Sequence, residues 1–479
     1  VDLDRDDWVE DPRARERRAR ADRRAGERRR MSAAPAQECR ERVDRRGASD
    51  RRGTSTRGSA AEHSAGRRRP PSAVRPPRRA AAALPGPGVA ERRSLALVTG
   101  LLLLYGLVMA YSASAAEAYF EHGSSFYFLQ RQAVWALIGV GAMWVLSRVD
   151  YVWYRRVALP FAGLAALLLV AVLVPGVGTT LNGARRWIFV GGQSFTPSET
   201  AKLAAVILVA TLVVRRPWEV TTARGFVTLA GIGIVPAGGL IMLEPDLGTT
   251  LVLTGAVVAV LIAAGARLRH LFSAAAVGLL GILALIVVEP YRLERLTTFL
   301  DPWKDPQGSG FQATQSLISI ASGRLFGVGL GNSVQKFGFL PEQGTDMITG
   351  IIGEELGLVG LLVLLALYAA LAWACFRIAL ACKDLFGKLL ATGITAIVIG
   401  QACINAGAAL GLLPLTGVPL PLVSLGGTSL VVVLAGLGVL LNIATNRRSF
   451  IVVTPHRGDR AARRGGDRRP SAAGPRRRG

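Results

Sequence analysis

The sequence predicts an all-α integral membrane protein with ten transmembrane helices, both termini cytoplasmic, and one long extracytoplasmic loop between spans seven and eight. Three observations support this. Ten apolar runs each reach the roughly 17–25 residues that a helix needs to cross a bilayer. Basic charge is concentrated at the two ends of the chain. Apart from two outer loops, the loops between the runs alternate between basic and non-basic, as the positive-inside bias requires.

Of the 479 residues, 51% are hydrophobic, yet the formal net charge is +24. Residues 1–93 hold 26 Arg against 15 acidic residues, and residues 444–479 hold 11 Arg against 2 Asp. The ten-span membrane domain between them, 94–445, is therefore nearly neutral. The tails 1–93 and 446–479 are rich in Arg, Gly, Pro, Ala and Ser. They lack the apolar surface that would offset ordering entropy, so both are expected to be disordered cytoplasmic segments. So much Arg invites a nucleic-acid reading. Arg beside a membrane is, however, the ordinary cytoplasmic signature, and no nucleic-acid partner is expected. A cleavable signal is not expected either, because its n-region would run past residue 90. The chain opens with Val, so both an unusual start codon and a start at Met31 stay open.

The spans fall at about 94–112, 130–147, 157–174, 198–214, 225–243, 247–265, 271–288, 347–373, 388–411 and 422–443. Loop 113–129 carries Glu117 and Glu121 and is placed outside. Loops 148–156, 215–224, 266–270 and 374–388 carry the basic residues and are placed inside. Loops 244–246 and 412–421 are acidic or uncharged, hence outside. Two outer loops break the bias: 175–197 holds Arg185 and Arg186, and 289–346 holds Arg292, Arg295, Lys304, Arg324 and Lys336. Outer basic residues oppose the insertion preference and point to an anionic ligand on that face, or to local acids and lipid phosphates.

Charges within the apolar body are costly and usually face a polar cavity or each other. Glu199 and Lys202 are three residues apart at the start of the fourth span, on one helix face. A structural ion pair is the plain reading, and the edge of a cavity is the functional one. Glu244 and Asp246 interrupt the apolar stretch between spans five and six, where Asp246 could cap the next helix. The segment 411–430 mixes Pro414, Pro419 and Pro421 with Gly426 and Gly427, and irregular backbone at such depth lines enclosed cavities.

The four cysteines have neither metal nor disulfide spacing. Phosphate-cradling Gly-Lys-Ser, His-Glu-x-x-His and Gly-x-Ser-x-Gly motifs are missing, and the four histidines are scattered. This argues against cytoplasmic ATP use and metallohydrolase chemistry. The sequence calls for no cofactor and no resident metal, and leaves room for a divalent cation.

The long polar excursion 299–360 is where chemistry is expected. Its aromatic and Gly content indicates an ordered loop, and it returns Asp346, Glu354 and Glu355 to the membrane. Asp346 has a plain role as helix N-cap, with Thr345 as rival, worth about 1 kcal/mol. Its functional role is general base at the membrane surface, where partial desolvation favours taking a proton from a hydroxyl. One carboxylate suffices when the leaving group is a pyrophosphate stabilised by Arg or Lys.

The motifs NGARRW, PSETAK, EPDLGT, DPWKDPQGSGFQATQS, GLGNSVQKFGFLPE, GEELGLVG and GLLPLTGVPLPLVSLGGTS run in order through 94–445. Together they resemble the SEDS family (shape, elongation, division, sporulation), and GLGNSVQK resembles its cell-division, FtsW-type branch more than its elongation branch. The Arg-rich tails resemble actinobacterial members. The resemblance implies a peptidoglycan glycosyltransferase that polymerises lipid II into glycan strands outside the cytoplasmic membrane, at the division septum, and releases undecaprenyl pyrophosphate. It also implies a class B penicillin-binding transpeptidase as partner, with division proteins met through the tails.

The family's essential acid in TDFIF falls on Asp346, within Thr345-Asp346-Met347-Ile348-Thr349. Gly344 stands where the family usually has His, and Leu425 where it usually has Tyr. Asp346 is thus expected to deprotonate the acceptor's sugar 4-hydroxyl, which attacks the anomeric carbon of the growing chain with inversion. Arg185, Arg186 and Lys336 are expected to hold pyrophosphate, and Glu199 and Lys202 to order the cavity edge. Trp187, Glu342 and Ser424 complete the expected substrate-binding set. A lipid II flippase or a non-catalytic scaffold for a transpeptidase are the rival readings.

Overall fold

The computed structural model describes residues 89–181, 184–288 and 297–445. The tails lie outside these residues, except that 89–93 already belong to the first helix. Arg292 and Arg295 lie outside them as well. The helices, in order, are α1 (Val89–His122), α2 (Tyr127–Leu146), α3 (Tyr154–Leu173), α4 (Pro197–Arg215), α5 (Ala223–Leu243), α6 (Leu247–Ala263), α7 (Leu268–Val288), α8 (Phe311–Ser322), α9 (Ile348–Ala381), α10 (Leu385–Ala409) and α11 (Gly427–Thr445).

A helix satisfies its own backbone polar groups, so it is the form that long apolar runs take in lipid. Among the described residues, eight helices are long and apolar enough to cross a membrane. The expected sixth span is the shorter apolar helix α6, of 17 residues, and the expected seventh falls on α7. Outward faces carry exposed Leu159, Leu167, Val227, Val235, Leu362 and Leu365. An apolar surface of that extent is unsuited to water and suited to lipid. Inside, α4 and α11 are the most enclosed helices. Helix α11 packs along α2, α6 along α10, α3 along α4, and α9 against α1 and α10.

Several expectations are corrected. The fold is not purely helical: 175–197 forms an antiparallel sheet of β1 (Gly178–Leu181), β2 (Ala184–Val190) and β3 (Gln193–Phe195). Val190 pairs with Gln193 around Gly191 and Gly192, both with positive φ, as a tight two-residue hairpin turn demands. The long outer loop contains a helix, α8, laid against α9. The expected basic loop 374–388 contracts, because α9 runs to Ala381 and Asp384 already caps α10 by accepting from Gly387 N at 3.1 Å. Loop 113–129 is mostly the end of α1, and the last span begins at Gly427 rather than at 422.

Helix α9 is kinked at Gly357 (φ 66°, ψ −161°), where segment 323–329 crosses it. Leu358 N donates to Arg324 O at 2.9 Å and Val328 N to Glu354 O at 2.9 Å. The outer loop is thereby tied to the helix that follows Asp346.

Candidate active site

The starts of α4, α6, α8, α9 and α11 meet at one end of the bundle around a cavity of about 620 Å³. Residues from 175–197, 244–246, 289–346 and 412–421, four segments that the alternation of spans expects on one side, contribute to its walls. Arg186, Trp187, Glu199, Asp246, Glu342 and Asp346 all line it.

Asp346 lies one residue before Met347, the N-cap position of α9, and that cap makes no side-chain hydrogen bond. Neither Asp346 nor Thr345 therefore takes the plain capping position. Asp346 is half-buried. Its surroundings are fixed through the backbone: Asn405 Nδ2 donates to Asp346 O at 2.8 Å and to Val418 O at 2.8 Å, while Asn405 Oδ1 accepts from Thr349 Oγ1 at 2.8 Å. Across the cavity, a methyl group built on Gly417 would lie 3.3 Å from Asp346 Oδ2 and 3.6 Å from Arg186 Nη1. The acid and the cation thus converge on one point beside Gly417.

Arg186 is held by the EPD turn between α5 and α6. Nε donates to Glu244 O at 3.1 Å, Nη2 donates to Pro245 O, and Nη1 is 3.6 Å from Asp246 Oδ2. Asp246 also caps α6 as expected, accepting from Thr249 N at 3.0 Å and Thr249 Oγ1 at 2.8 Å. Fixing a guanidinium in this way prepays the orientation an anion would otherwise have to impose. Glu244 is fully buried, and its carboxyl oxygens have no hydrogen-bond partner among the described residues. Burial, then repulsion from Asp246, push it up to about 8 against the attraction of Arg186. Burial thus favours the neutral form of Glu244, and Asp246 is the acid whose side chain faces Arg186.

Glu199 and Lys202 form a buried ion pair at 2.7 Å, as the plain reading of their spacing anticipates. Glu199 Oε1 also accepts from Gln401 Nε2 at 3.4 Å. Its Oε2 is buried, lacks a hydrogen-bond partner among the described residues, and belongs to a side chain on the cavity wall. Lys202 is fully buried behind it. A buried ion pair is weak evidence for stability, since desolvation offsets the attraction.

Arg185, Lys336 and Ser424 are not on this cavity. Arg185 donates to Leu173 O at 3.1 Å and Thr180 Oγ1 at 3.3 Å, because neighbours on a strand point to opposite faces. Lys336 is buried, donating to Gly331 O and pairing with Glu355 at 3.3 Å. Glu354 accepts from Ser333 Oγ and from Val334 N, the latter at 2.9 Å. The two glutamates anchor loop 331–336 to α9. Ser424 is buried and donates to Thr345 O while accepting from Leu420 N at 2.9 Å. It shapes the Asp346 loop from behind.

Lys336 instead lines a second cavity of about 690 Å³ with Glu117, Arg131 and Trp135. The two cavities share a wall made by Ser194, Glu342, Thr345 and Leu425–Gly427. Glu342 accepts from Thr345 Oγ1 at 2.7 Å in that wall. Gly344 and Leu425, two of the positions where the sequence departs from the pattern it resembles, also meet here: a Cβ on Gly344 would lie 2.6 Å from Leu425 Cδ1, and Leu425 N donates to Gly344 O at 2.8 Å.

Sequence reasoning missed Asn405 and Gln401, which sit in an apolar run where a lone amide has no pattern to mark it. Their one signal is that an amide buried in such a run requires a partner.

The family model described as a cell cycle protein, covering FtsW, RodA and SpoVE, matches residues 92–449. Stage V sporulation protein E of Bacillus subtilis (strain 168) is 44% identical over 355 residues, covering 74% of this chain and 97% of that protein. A probable peptidoglycan glycosyltransferase FtsW of Geobacter sp. (strain M18) is 38% identical over 350 residues, covering 73% and 95%. Among solved structures, a chain of a peptidoglycan synthase complex that coordinates polymerization and crosslinking aligns with TM-score 0.62 and 34% identity, covering 74% and 98%. The rod shape determining protein RodA of Thermus thermophilus aligns with TM-score 0.55 and 30% identity, covering 74% and 97%. With the motifs in order, a helical membrane fold and relatives matched over nearly their whole length, this chain belongs to the FtsW/RodA/SpoVE cell cycle proteins, the SEDS family.

Proposed function

We propose that the protein is a peptidoglycan glycosyltransferase that polymerises lipid II at the outer face of the cytoplasmic membrane, through ten spans. The observation that carries this reading is the convergence of Asp346 and Arg186 on one point of a cavity at the bundle end. Asp346 takes the proton of the acceptor's sugar hydroxyl. The hydroxyl oxygen bonds to the anomeric carbon of the growing chain as that carbon's bond to the diphosphate breaks. The electron pair leaves with undecaprenyl pyrophosphate, whose charge Arg186 offsets. Glu199, with Lys202 behind it, and Trp187 orient the sugar, and Glu342 stands between the two cavities. Two adjoining cavities suit a reaction that joins two large substrates. Relatives named as probable peptidoglycan glycosyltransferases support the activity, and the synthase complex supports a crosslinking partner of the class B transpeptidase kind.

A division role follows the FtsW relatives; the identity to a stage V sporulation protein favours, as a second reading, the same chemistry at a sporulation septum. The test is polymerisation of labelled lipid II by the purified protein, with and without the candidate transpeptidase, beside a lipid translocation assay. Glycan strands from lipid II supplied without translocation support the enzyme. Translocation with no strands under either condition supports the flippase.

A further inference from the structure

The chain between Lys336 and Asp346 is clamped at both ends. At the Lys336 end, α1, α8, α9 and the outer loop are knotted together. Lys336 Nζ pairs with Glu355 Oε1 of α9 at 3.3 Å. Glu355 also accepts from Ser112 Oγ of α1, and that hydroxyl in turn accepts from Gly331 N at 3.1 Å. Glu354 accepts from Ser319 Oγ of α8 at 3.2 Å and from Val334 N at 2.9 Å. At the other end, Leu425 N donates to Gly344 O and Asn405 Nδ2 to Asp346 O, each at 2.8 Å.

Residues 337–345 thus form a strap held at both ends. Gly338 (φ 90°) and Glu342 (φ 53°) turn it, and Leu340 is buried against Gly350, where a Cβ would come within 3.2 Å of Leu340 Cδ2. The side chains of the knot are all buried: Ser112, Ser319, Ser333, Lys336, Glu354 and Glu355. Two buried carboxyl groups and one ammonium are a costly way to hold a loop. Desolvation offsets their attraction, and apolar residues of similar volume often hold a fold as well. What a satisfied buried network adds is rigidity in one arrangement.

We propose that Lys336 and Glu355 are positioning residues: their pairing fixes the Lys336 end of the strap, and through it the place of Asp346 in its cavity. This rests on the general-base reading of Asp346. The Lys336 ammonium is engaged by Glu355 and by Gly331 O, so it acts through the strap rather than on an anion. A base displaced by about 1 Å can lose on the order of a hundredfold in rate with its chemistry unchanged.

The test is Lys336→Met combined with Glu355→Gln in the full chain in detergent, which removes both charges and keeps an acceptor for Ser333 N. In this variant kcat for lipid II polymerisation is expected to fall about tenfold to a hundredfold, with KM within about twofold. The amides of Leu340, Thr345 and Met347, each bonded within the loop, should exchange hydrogen faster, while those of the hairpin 184–195 and the unfolding midpoint stay as they are. Ser112→Ala, which frees the knot from α1 by removing one hydroxyl, should give the same changes in smaller measure and serves if the paired variant does not fold. Unchanged exchange in the strap overturns the proposal, as does an unchanged kcat. A change in KM alone would put Lys336 on the substrate, and a loss of activity that only follows a lower unfolding midpoint would leave the pair a structural role; either overturns it too. If the unchanged protein makes no strands, the polymerase reading fails by itself, and exchange in the strap still decides whether the knot holds it.

Discussion

Asn405 donates to the main-chain oxygen of Asp346 at 2.8 Å from a helix, α10, that lies 59 residues further along the chain. The same amide nitrogen holds Val418 O at 2.8 Å, and its carbonyl oxygen accepts from Thr349. One buried amide therefore fixes the acid, the first turn of the helix behind it, and the strand of backbone opposite. Asn405→Ala is expected to leave these groups unsatisfied, at about 1–3 kcal/mol. It should lower kcat for polymerisation more than it raises KM, since the acid remains but loses its placement. Steady-state kinetics on lipid II check this, and a pure KM effect would show that Asn405 does not position the acid.

Lys202 and Glu199 test what a buried ion pair is for. Lys202→Ala strands the buried Glu199 without its cation and should destabilise the protein by about 3–5 kcal/mol. The paired replacement Glu199→Leu with Lys202→Met should recover most of that stability. Activity should stay lost in the pair if the unpaired Glu199 oxygen meets substrate. Thermal unfolding in detergent, read beside polymer yield, separates the two roles.

Glu244 makes stability depend on pH. Its carboxyl is held up from 4.5 to about 8 by burial. The folded protein therefore keeps a proton that the unfolded chain releases above its own pKa. Stability should fall as pH rises from about 4.5 to 8 and level off beyond. Glu244→Gln should flatten that slope and raise the unfolding midpoint at alkaline pH. A slope unchanged in the variant would assign it to other groups.

Gly344 and Leu425 should be coupled. A side chain at 344 meets the end of the Leu425 side chain. Gly344→Ala is therefore expected to cost more in the unchanged protein than in one that already carries Leu425→Ala. A coupling of about 0.5–3 kcal/mol in the stability cycle is the expected range for residues in contact. Strict additivity would mean that positions 344 and 425 act independently.

Much of this molecule was legible in its sequence, at the level where composition and period speak. The apolar runs mark the helices because runs of about 20 apolar residues suit a spanning helix, which satisfies its own backbone in lipid. Asp346 stands out as an acid at the mouth of such a run, and Glu199 and Lys202 by their shared helix face. The sheet in 175–197 was not read, although Asn182-Gly183 and Gly191-Gly192 are hairpin signals. Missing it merged Arg185 with Arg186, which strand alternation sends to opposite sides. Lys336 looked like a ligand for an anion because nothing local shows that Glu355, 19 residues on, neutralises it. Ser424 is expected among the substrate-binding residues, and its partner in the fold, Thr345 O, is 79 residues away. Tertiary pairing of polar groups leaves no periodic trace.

The most direct test of Asp346 as general base is polymerisation of lipid II by Asp346→Asn beside the unchanged protein, under conditions where the latter makes strands. Asn keeps the shape and polarity of the side chain and removes its ability to accept the proton. A loss of about a hundredfold or more, with lipid II still bound, is the expected result for a general base. Strands made at an equal rate by Asp346→Asn would contradict the assignment and leave the cavity without its base.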